Sequence, residues 1–166
     1  MDTPTLFDDH DDDEGPPTDE WTLGRTRAWL RARVETGSGC PCCEQFAKVY
    51  RRKITGSAAW ALIQMWRAGG HDLVHVPTLL RRVTADESKL AYWGLTRSSE
   101  IRRDDGGKAG WWAVTELGRA WIYREATVPT YARVYDGRVL NLEGDPRTIV
   151  EALGTRFNYR ELMEGI

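Results

Sequence analysis

The sequence predicts an α+β fold, and two kinds of pattern support that prediction. Across Ala59–Trp66 the apolar residues recur at i, i+3, i+4 and i+7, which is helical spacing, and Gly69-Gly70 ends the pattern. The stretch Tyr131–Leu142 is rich in β-branched and aromatic residues. It has Asp136-Gly137 at its centre, which is typical of a β-hairpin with a type I′ turn. Helices and hairpins are therefore both expected.

The middle of the chain predicts a defined order of elements. Thr55 and Ser57 offer hydroxyls that can cap a first helix, Pro77 suits the first turn of a second helix, and Thr115 can cap a last one. The predicted elements are a helix at 55–69, a strand at 73–76, helices at 78–83 and 85–94, a hairpin of 100–103 with 111–114, and a helix at 115–123.

Two phrases in this segment resemble a known family. Tyr92-Trp93-Gly94-Leu95 and the stretch Gly110–Trp121 are similar to the recognition-helix end, second wing strand and following helix of winged helix-turn-helix proteins. The resemblance implies a winged helix-turn-helix core, to which the flanking residues add an N-terminal helical extension and a C-terminal β-hairpin plus short helices. It also implies duplex DNA as a partner, with the recognition helix in the major groove and the wing on the backbone or minor groove.

A second resemblance covers most of the chain beyond residue 20. Cys40–Lys53, the wing phrase and Ala152–Tyr159 look similar to small uncharacterised actinobacteriophage proteins with a CPxC knuckle. That likeness implies a phage setting but brings no established activity. Together with the winged-helix resemblance it gives the expectation of a phage-type regulator of transcription.

The flanking segments predict further elements. Helices are expected at 21–35 and 44–54, joined by a cysteine-rich turn, and Asp145-Pro146 predicts the start of a helix after the C-terminal hairpin. The expected organisation is an acidic tail at 1–20, N-terminal helices with the knuckle at 21–54, a winged-helix core at 55–127, and a hairpin with helices packed on that core at 128–166.

Charge is distributed unevenly along the 166 residues. Residues 1–20 contain nine Asp and Glu residues and no Lys or Arg, so we expect a disordered tail that solubilises the protein, docks a partner or competes with nucleic acid. The other 16 acidic and all 23 basic residues give positions 21–166 a net charge of about +7. We expect a cytoplasmic protein without a membrane partner, because no signal peptide, membrane-length apolar run or disulfide framework is visible.

The basic residues predict where DNA would bind. Lys and Arg would mainly contact phosphates, whereas Ser88, Lys89 or Tyr92, expected on one helix face opposite Leu90 and Ala91, would read bases. The predicted helix at 44–54 carries a dense basic patch that is either a phosphate contact or merely a solvated face. The predicted DNA-binding residues are Lys48, Arg51, Arg52, Ser88, Lys89, Tyr92, Arg97, Arg102, Arg103 and Lys108.

The cysteines suggest a structural zinc site. Cys40 and Cys43 have the C-x-x-C spacing that holds one tetrahedral zinc, and His75 is a candidate further ligand. The same cysteines of a second chain could complete the site, which would make the protein a homodimer. Unligated thiols and a redox switch are the alternatives, the latter because Cys43 is expected at a helix start, where its thiol pKa would be lowered.

The wing also offers a candidate protein-binding surface. Trp111 and Trp112 are adjacent on a predicted strand, so their side chains must point to opposite faces, and one of them could anchor a partner. The alternative function is therefore an adaptor or inhibitor that engages a host protein through the acidic tail and the exposed wing aromatics. No nucleophile, base and orienting group are spaced as in an enzyme, so catalysis is not expected.

Overall fold

The computed structural model describes residues 15–81, 86–102, 104 and 110–165. Most of the predicted acidic tail, as well as Arg103 and Lys108, lies outside these ranges. The chain divides into two compact units, one ending at Tyr50 and the other beginning at Arg51. Within the described ranges, no helix combines the length and the apolar character needed to cross a membrane. The fold is mixed α+β with small antiparallel sheets.

The first unit contains a helix and a short hairpin. Helix α1 (Leu23–Arg33) begins after Thr22, whose hydroxyl accepts a hydrogen bond from the Arg25 amide at 3.3 Å. Strands β1 (Ser38–Gly39) and β2 (Phe46–Ala47) pair antiparallel, and the cysteines occupy the turn between them. The helix expected at 21–35 is thus present with slightly shorter ends.

The helix predicted at 44–54 is wrong, because this segment forms strands. After β2, strand β3 (Tyr50–Lys53) joins a three-stranded sheet, in which its neighbour β7 (Val128–Tyr135) lies far away in sequence. The spacing of Phe46, Val49 and Tyr50 matches a helix, but aromatic and β-branched residues also favour strands. Here β2 pairs with β1 and β3 pairs with β7, so the segment is extended and not helical. The predicted basic helix face therefore does not exist.

The second unit is built on helix α2 (Gly56–Gly69). The Thr55 hydroxyl caps it by accepting a hydrogen bond from the Ala58 amide at 3.2 Å, and Gly70 (φ 56°) ends it. Ala59, Leu62 and Ile63 are fully buried on the predicted face. The helix prediction and its two end signals are confirmed.

The elements after α2 follow the expected order with shifted boundaries. They are β4 (Val74–His75), α3 (Val76–Leu80), a 3₁₀ helix (Glu87–Trp93), β5 (Thr96–Ser98), β6 (Trp111–Val114) and α4 (Glu116–Ile122). Strand β6 lies between β4 and β5, and both pairings are antiparallel. The first strand of the predicted hairpin, expected at 100–103, is therefore found at 96–98, where Thr96 is buried, whereas positions 100–102 are exposed.

The C-terminal hairpin consists of β7 and β8 (Arg138–Arg147). Asp136 (φ 48°) and Gly137 (φ 70°) adopt the left-handed conformation that a type I′ turn requires, so this prediction is confirmed. Helices α5 (Ile149–Leu153) and α6 (Tyr159–Met163) follow.

The predicted helix start at Asp145-Pro146 is wrong. Pro146 lies in β8, opposite Pro129 of β7. Helix α5 instead begins after Thr148, which forms a reciprocal capping box with Glu151: the Thr148 hydroxyl accepts from the Glu151 amide, and the Glu151 carboxylate accepts from the Thr148 amide. This double cap satisfies two orphan amides and outcompetes the weaker Asp-Pro signal.

One apolar core extends through the second unit. It includes Leu62 of α2, Trp121 of α4, Ala132 of β7 and Ile149 of α5, each at most marginally exposed. The indole N–H of Trp121 donates to the Arg147 carbonyl at 2.9 Å. The hairpin and α5 therefore share one core with α2. This packing fixes the position of β3, which pairs with β7 of the hairpin and carries part of the candidate site.

Candidate nucleic-acid interface

A basic cavity of about 230 Å³ opens at the N-terminal end of α2. Two segments that are distant in sequence meet there: 51–58, which contains the end of β3 and the start of α2, and 86–93, which contains the 3₁₀ helix. Residues from these segments line the cavity with a cationic rim and an apolar floor: Arg51, Arg52, Lys53, Ile54, Thr55, Ala58, Asp86, Lys89, Leu90 and Trp93. Three of the predicted DNA-binding residues, Arg51, Arg52 and Lys89, are thereby brought together.

The floor of the cavity is held by the core. Leu90 and Trp93 lie one 3₁₀ turn apart, and both are almost completely buried. The indole N–H of Trp93 donates to the Pro129 carbonyl at 2.7 Å, which ties the 3₁₀ helix to β7. Because β3 pairs with the same β7, the basic strand and the 3₁₀ helix are positioned by one sheet.

Asp86 contributes a carboxylate among the cationic side chains that line the cavity. Its Oδ1 accepts a hydrogen bond from Lys89 Nζ at 2.6 Å, and its Oδ2 accepts one from the Thr55 hydroxyl at 3.3 Å. The hydrogen bond from Lys89 is the main cause that lowers the pKa of Asp86, and the bond from Thr55 and the charge of Arg52 add to it. Asp86 is thus ionised at neutral pH and occupies the positive surface as an internal anion.

Arg51 leans toward the sheet from the rim. Its Nε lies 2.8 Å from Glu143 Oε1, and its guanidinium stacks 3.7 Å above the centre of the Tyr131 ring. On a strand, neighbouring side chains alternate between faces. Arg52 is accordingly half-buried, whereas Arg51 and Lys53 are exposed. Lys48 lies between β2 and β3 in the first unit and is exposed.

The 3₁₀ helix distributes the predicted base-reading residues over different faces. With three residues per turn, Glu87, Leu90 and Trp93 form its buried side. Ser88 and Ala91 are exposed, whereas Lys89 and Tyr92 are half-buried. The expectation that Ser88, Lys89 and Tyr92 share one face opposite Leu90 and Ala91 is therefore wrong, because a three-residue period replaces the α-helical one.

Glu87 is a buried carboxylate that the sequence did not single out as unusual. Its side chain is 8% exposed, and burial raises its pKa above the ordinary value of 4.5. The neighbouring charge of Asp86 acts in the same direction. Glu87 therefore takes up a proton more readily than a solvated glutamate.

Two of the arginines predicted to bind DNA lie on and beyond β5. Arg97 is exposed, and its guanidinium donates to the His71 carbonyl at 3.5 Å; Arg102 is also exposed. On β6, Trp111 is 37% exposed and Trp112 packs against the core, which confirms that the two rings point to opposite faces. Trp111 lies beside His75, with 5.2 Å between ring centroids.

The cysteines form a tight turn in the first unit. The Cys40 amide donates to the Gln45 carbonyl at 2.8 Å, and the Glu44 amide donates to the Cys40 carbonyl at 2.8 Å. Hydrogen bonds from the backbone amides of Cys42 and Cys43 are the main causes that lower the pKa of the Cys40 thiol. Strand β2 follows the turn, so the expectation that Cys43 lies at a helix start is wrong.

The candidate metal ligands are only partly assembled in the described chain. Cys40 and Cys43 belong to one turn, but within the described ranges no three His, Cys, Asp or Glu side chains form a group that could hold a metal ion. His75 lies in the second unit, where its Nδ1 is 2.6 Å from the Thr78 hydroxyl.

The sequence predicts most of the charged residues of the cavity, but it does not predict that they come together in one site. Lys53 lies in the basic patch predicted at 44–54, and Thr55 is predicted only as a helix cap. No local sequence pattern predicts that β3 and the 3₁₀ helix both lie at the start of α2, because both are positioned by the distant strand β7.

No protein-family model matches the chain, and comparison with curated proteins and with solved structures likewise gives no match.

Proposed function

We propose that this chain is a DNA-binding regulator of the winged-helix kind, which contacts duplex DNA through the basic cavity, the 3₁₀ helix and the wing. The observation that carries the proposal is the convergence of Arg51, Arg52, Lys53 and Lys89 on one cavity. These four cations come from two distant stretches of the sequence, and a convex polyanion is the partner that such a surface suits.

The order of elements supports the winged-helix part of the proposal. From α2 to α4 the chain runs helix, strand, helix, 3₁₀ helix, strand, strand, helix, and the sheet order is β4-β6-β5. The 3₁₀ helix takes the place of the recognition helix, and the connection between β5 and β6 takes that of the wing. The exposed Ser88 is then the side chain best placed to reach a base edge.

The proposed contact is mainly with phosphates. Arg and Lys side chains on the rim neutralise the DNA backbone, and the N-terminal end of the 14-residue α2 adds the positive end of its dipole. Because phosphates are the same at every position, this binding is expected to depend strongly on salt and weakly on sequence. The charge of Asp86 opposes it.

The test is the affinity for a short mixed-sequence duplex, measured by fluorescence anisotropy at several salt concentrations. The reversals Arg52→Glu and Lys89→Glu should each weaken binding at low salt by about tenfold and lower the slope of log K against log salt by about one. Arg138→Glu, on the exposed hairpin strand, is the matched control and should bind nearly as the wild type does. Reversals at the cavity that leave the affinity unchanged would contradict the proposal.

A second candidate function is a protein-binding adaptor that engages a host protein. It is favoured by the exposed ring of Trp111 and by Ile101, which follows β5 and is 52% exposed. In that case Trp111→Ser should abolish partner binding, and the reversals at the cavity should leave it intact. The two functions therefore respond to different substitutions.

A further inference from the structure

We propose that the turn from Cys40 to Gln45 is one half of a zinc site, and that the same turn of a second copy of this chain is the other half. The site would hold one Zn²⁺ between four thiolates, two from each copy. This proposal concerns the first unit alone and does not depend on DNA binding.

The backbone of the turn is shaped to present two sulfurs. Hydrogen bonds from the Cys40 amide to the Gln45 carbonyl and from the Glu44 amide to the Cys40 carbonyl, both 2.8 Å, close the loop between β1 and β2. Cys40 and Cys43 are thereby held in a single turn.

Glu44 shows that this turn is constrained. Its φ of 62° lies in the left-handed region, which residues other than glycine and asparagine rarely adopt. A conformation of this kind persists only where the surrounding hydrogen bonds require it, and such residues concentrate at ligand sites. Here it reverses the chain directly after the second cysteine of the C-x-x-C pair.

The coordination number of zinc argues for a second copy. A structural zinc takes four ligands, nearly always in a tetrahedron, and one turn supplies two. In a dimer with twofold symmetry each surface meets its own copy, so two identical turns provide four sulfurs without any further residue. As four Zn–S bonds form, the four thiols release their protons to solvent.

The surface around the turn suits such a contact. Cys42 and Cys43 are exposed, and Phe46, the first residue of β2, is 61% exposed. The Phe46 ring lies against Gly37 on the hairpin that carries the two cysteines, and an exposed aromatic ring of this kind gives the interface an apolar anchor. In the proposed dimer the two Phe46 rings are covered while the zinc is bound.

The experiment uses the reduced, metal-free full chain, titrated with Co²⁺ and with Zn²⁺ while its mass is followed by light scattering. Saturation at half an ion per chain, absorption typical of tetrahedral cobalt with thiolates, and a doubled mass that a chelator reverses are expected. Cys40→Ser and Cys43→Ser should each remove the metal and the dimer. Cys42→Ser, in the same turn, is the matched control and should retain both.

Three results would overturn the proposal: no metal binding, one ion per monomeric chain, or a dimer that persists in Cys43→Ser without metal. Loss of binding in Cys42→Ser would also overturn the assignment of the two ligands. A failure to bind DNA would leave all of these readouts unchanged, so the two proposals can fail separately.

Discussion

Asp86 decides how much of the positive charge in the cavity is available to a ligand. Its carboxylate is paired with Lys89 at 2.6 Å and also accepts a hydrogen bond from Thr55. A phosphate arriving at the cavity has to compete with this internal anion. The pair is partly exposed, so its strength is limited, and the competition can be won at low salt.

Replacing Asp86 with Asn should therefore strengthen DNA binding. We expect an affinity about threefold to tenfold higher at low salt, and a slope of log K against log salt that is steeper by about one, because Lys89 gains a phosphate partner. Anisotropy with the same duplex measures both quantities. Asp72→Asn is the control, since Asp72 follows the far end of α2, about 20 Å along the helix. Equal affinities for Asp86→Asn and wild type would argue against the site.

Glu87 gives a second prediction, about stability and pH. Because its folded-state pKa is raised above 4.5 by burial, the folded protein binds this proton more tightly than the unfolded chain does. Its charged form therefore destabilises the fold at pH 7, and this penalty disappears as the pH falls below 4.5. Glu87→Gln should raise the free energy of unfolding at pH 7 and give a smaller gain at pH 4.

Urea denaturation at the two pH values tests this difference. Glu100→Gln, at an exposed position, serves as the control and should change the stability little at either pH. A gain in Glu87→Gln that is equal at pH 7 and pH 4 would contradict the assigned cause.

At the scale of elements, local signals decide what the sequence could predict. Helix α2 was predictable because its cap, its apolar face and its terminating glycines all lie within it. Strand β3 was not, because its neighbour β7 begins only at Val128 and the intervening sequence gives no sign of that pairing. The same holds for the cavity. Its basic residues were predicted, but their convergence on one site was not, because it requires β3 to lie beside β7.

The contact between α4 and the strand region predicts an intolerant glycine. A Cβ added at Gly118 would lie 2.2 Å from the Leu95 carbonyl oxygen and 2.7 Å from Val114 Cγ1, so the backbone has to shift. Gly118→Ala should lower the free energy of unfolding by about 3 kcal/mol. Thermal denaturation measures the loss.

Gly24→Ala is the matched control for that substitution. Gly24 also lies in a helix, but nothing is within 4 Å of its added Cβ. Alanine has the higher helix propensity by about 1 kcal/mol, so this variant should be neutral or slightly more stable. If both variants lost stability equally, the close contact at Gly118 would not be the cause.

At the scale of the whole molecule, the N-terminal segment and the rest of the chain carry net charges of opposite sign. The nine acidic residues within residues 1–20 carry more negative charge than the net positive charge of about +7 on the rest. Deleting residues 1–20 should therefore tighten DNA binding at low salt, and the gain should shrink at higher salt as the charges are screened.

Anisotropy on the deleted and full-length chains measures this effect. A chain in which residues 1–20 are replaced by a Gly-Ser segment of the same length separates the loss of charge from the loss of bulk. An affinity that follows the presence of any tail, charged or not, would refute competition by charge.

The outer strand of the hairpin sheet has a consequence for solubility. Within the described chain β8 lies at the edge of its sheet, and Leu140 on it is 51% exposed. However, its register shifts twice along β7, Gly144 adopts a φ of 86°, and Pro146 has no amide to donate. Irregular, proline-bearing edges resist the addition of another strand. We therefore expect this open edge to resist the strand-by-strand addition of other chains despite its exposed apolar residues.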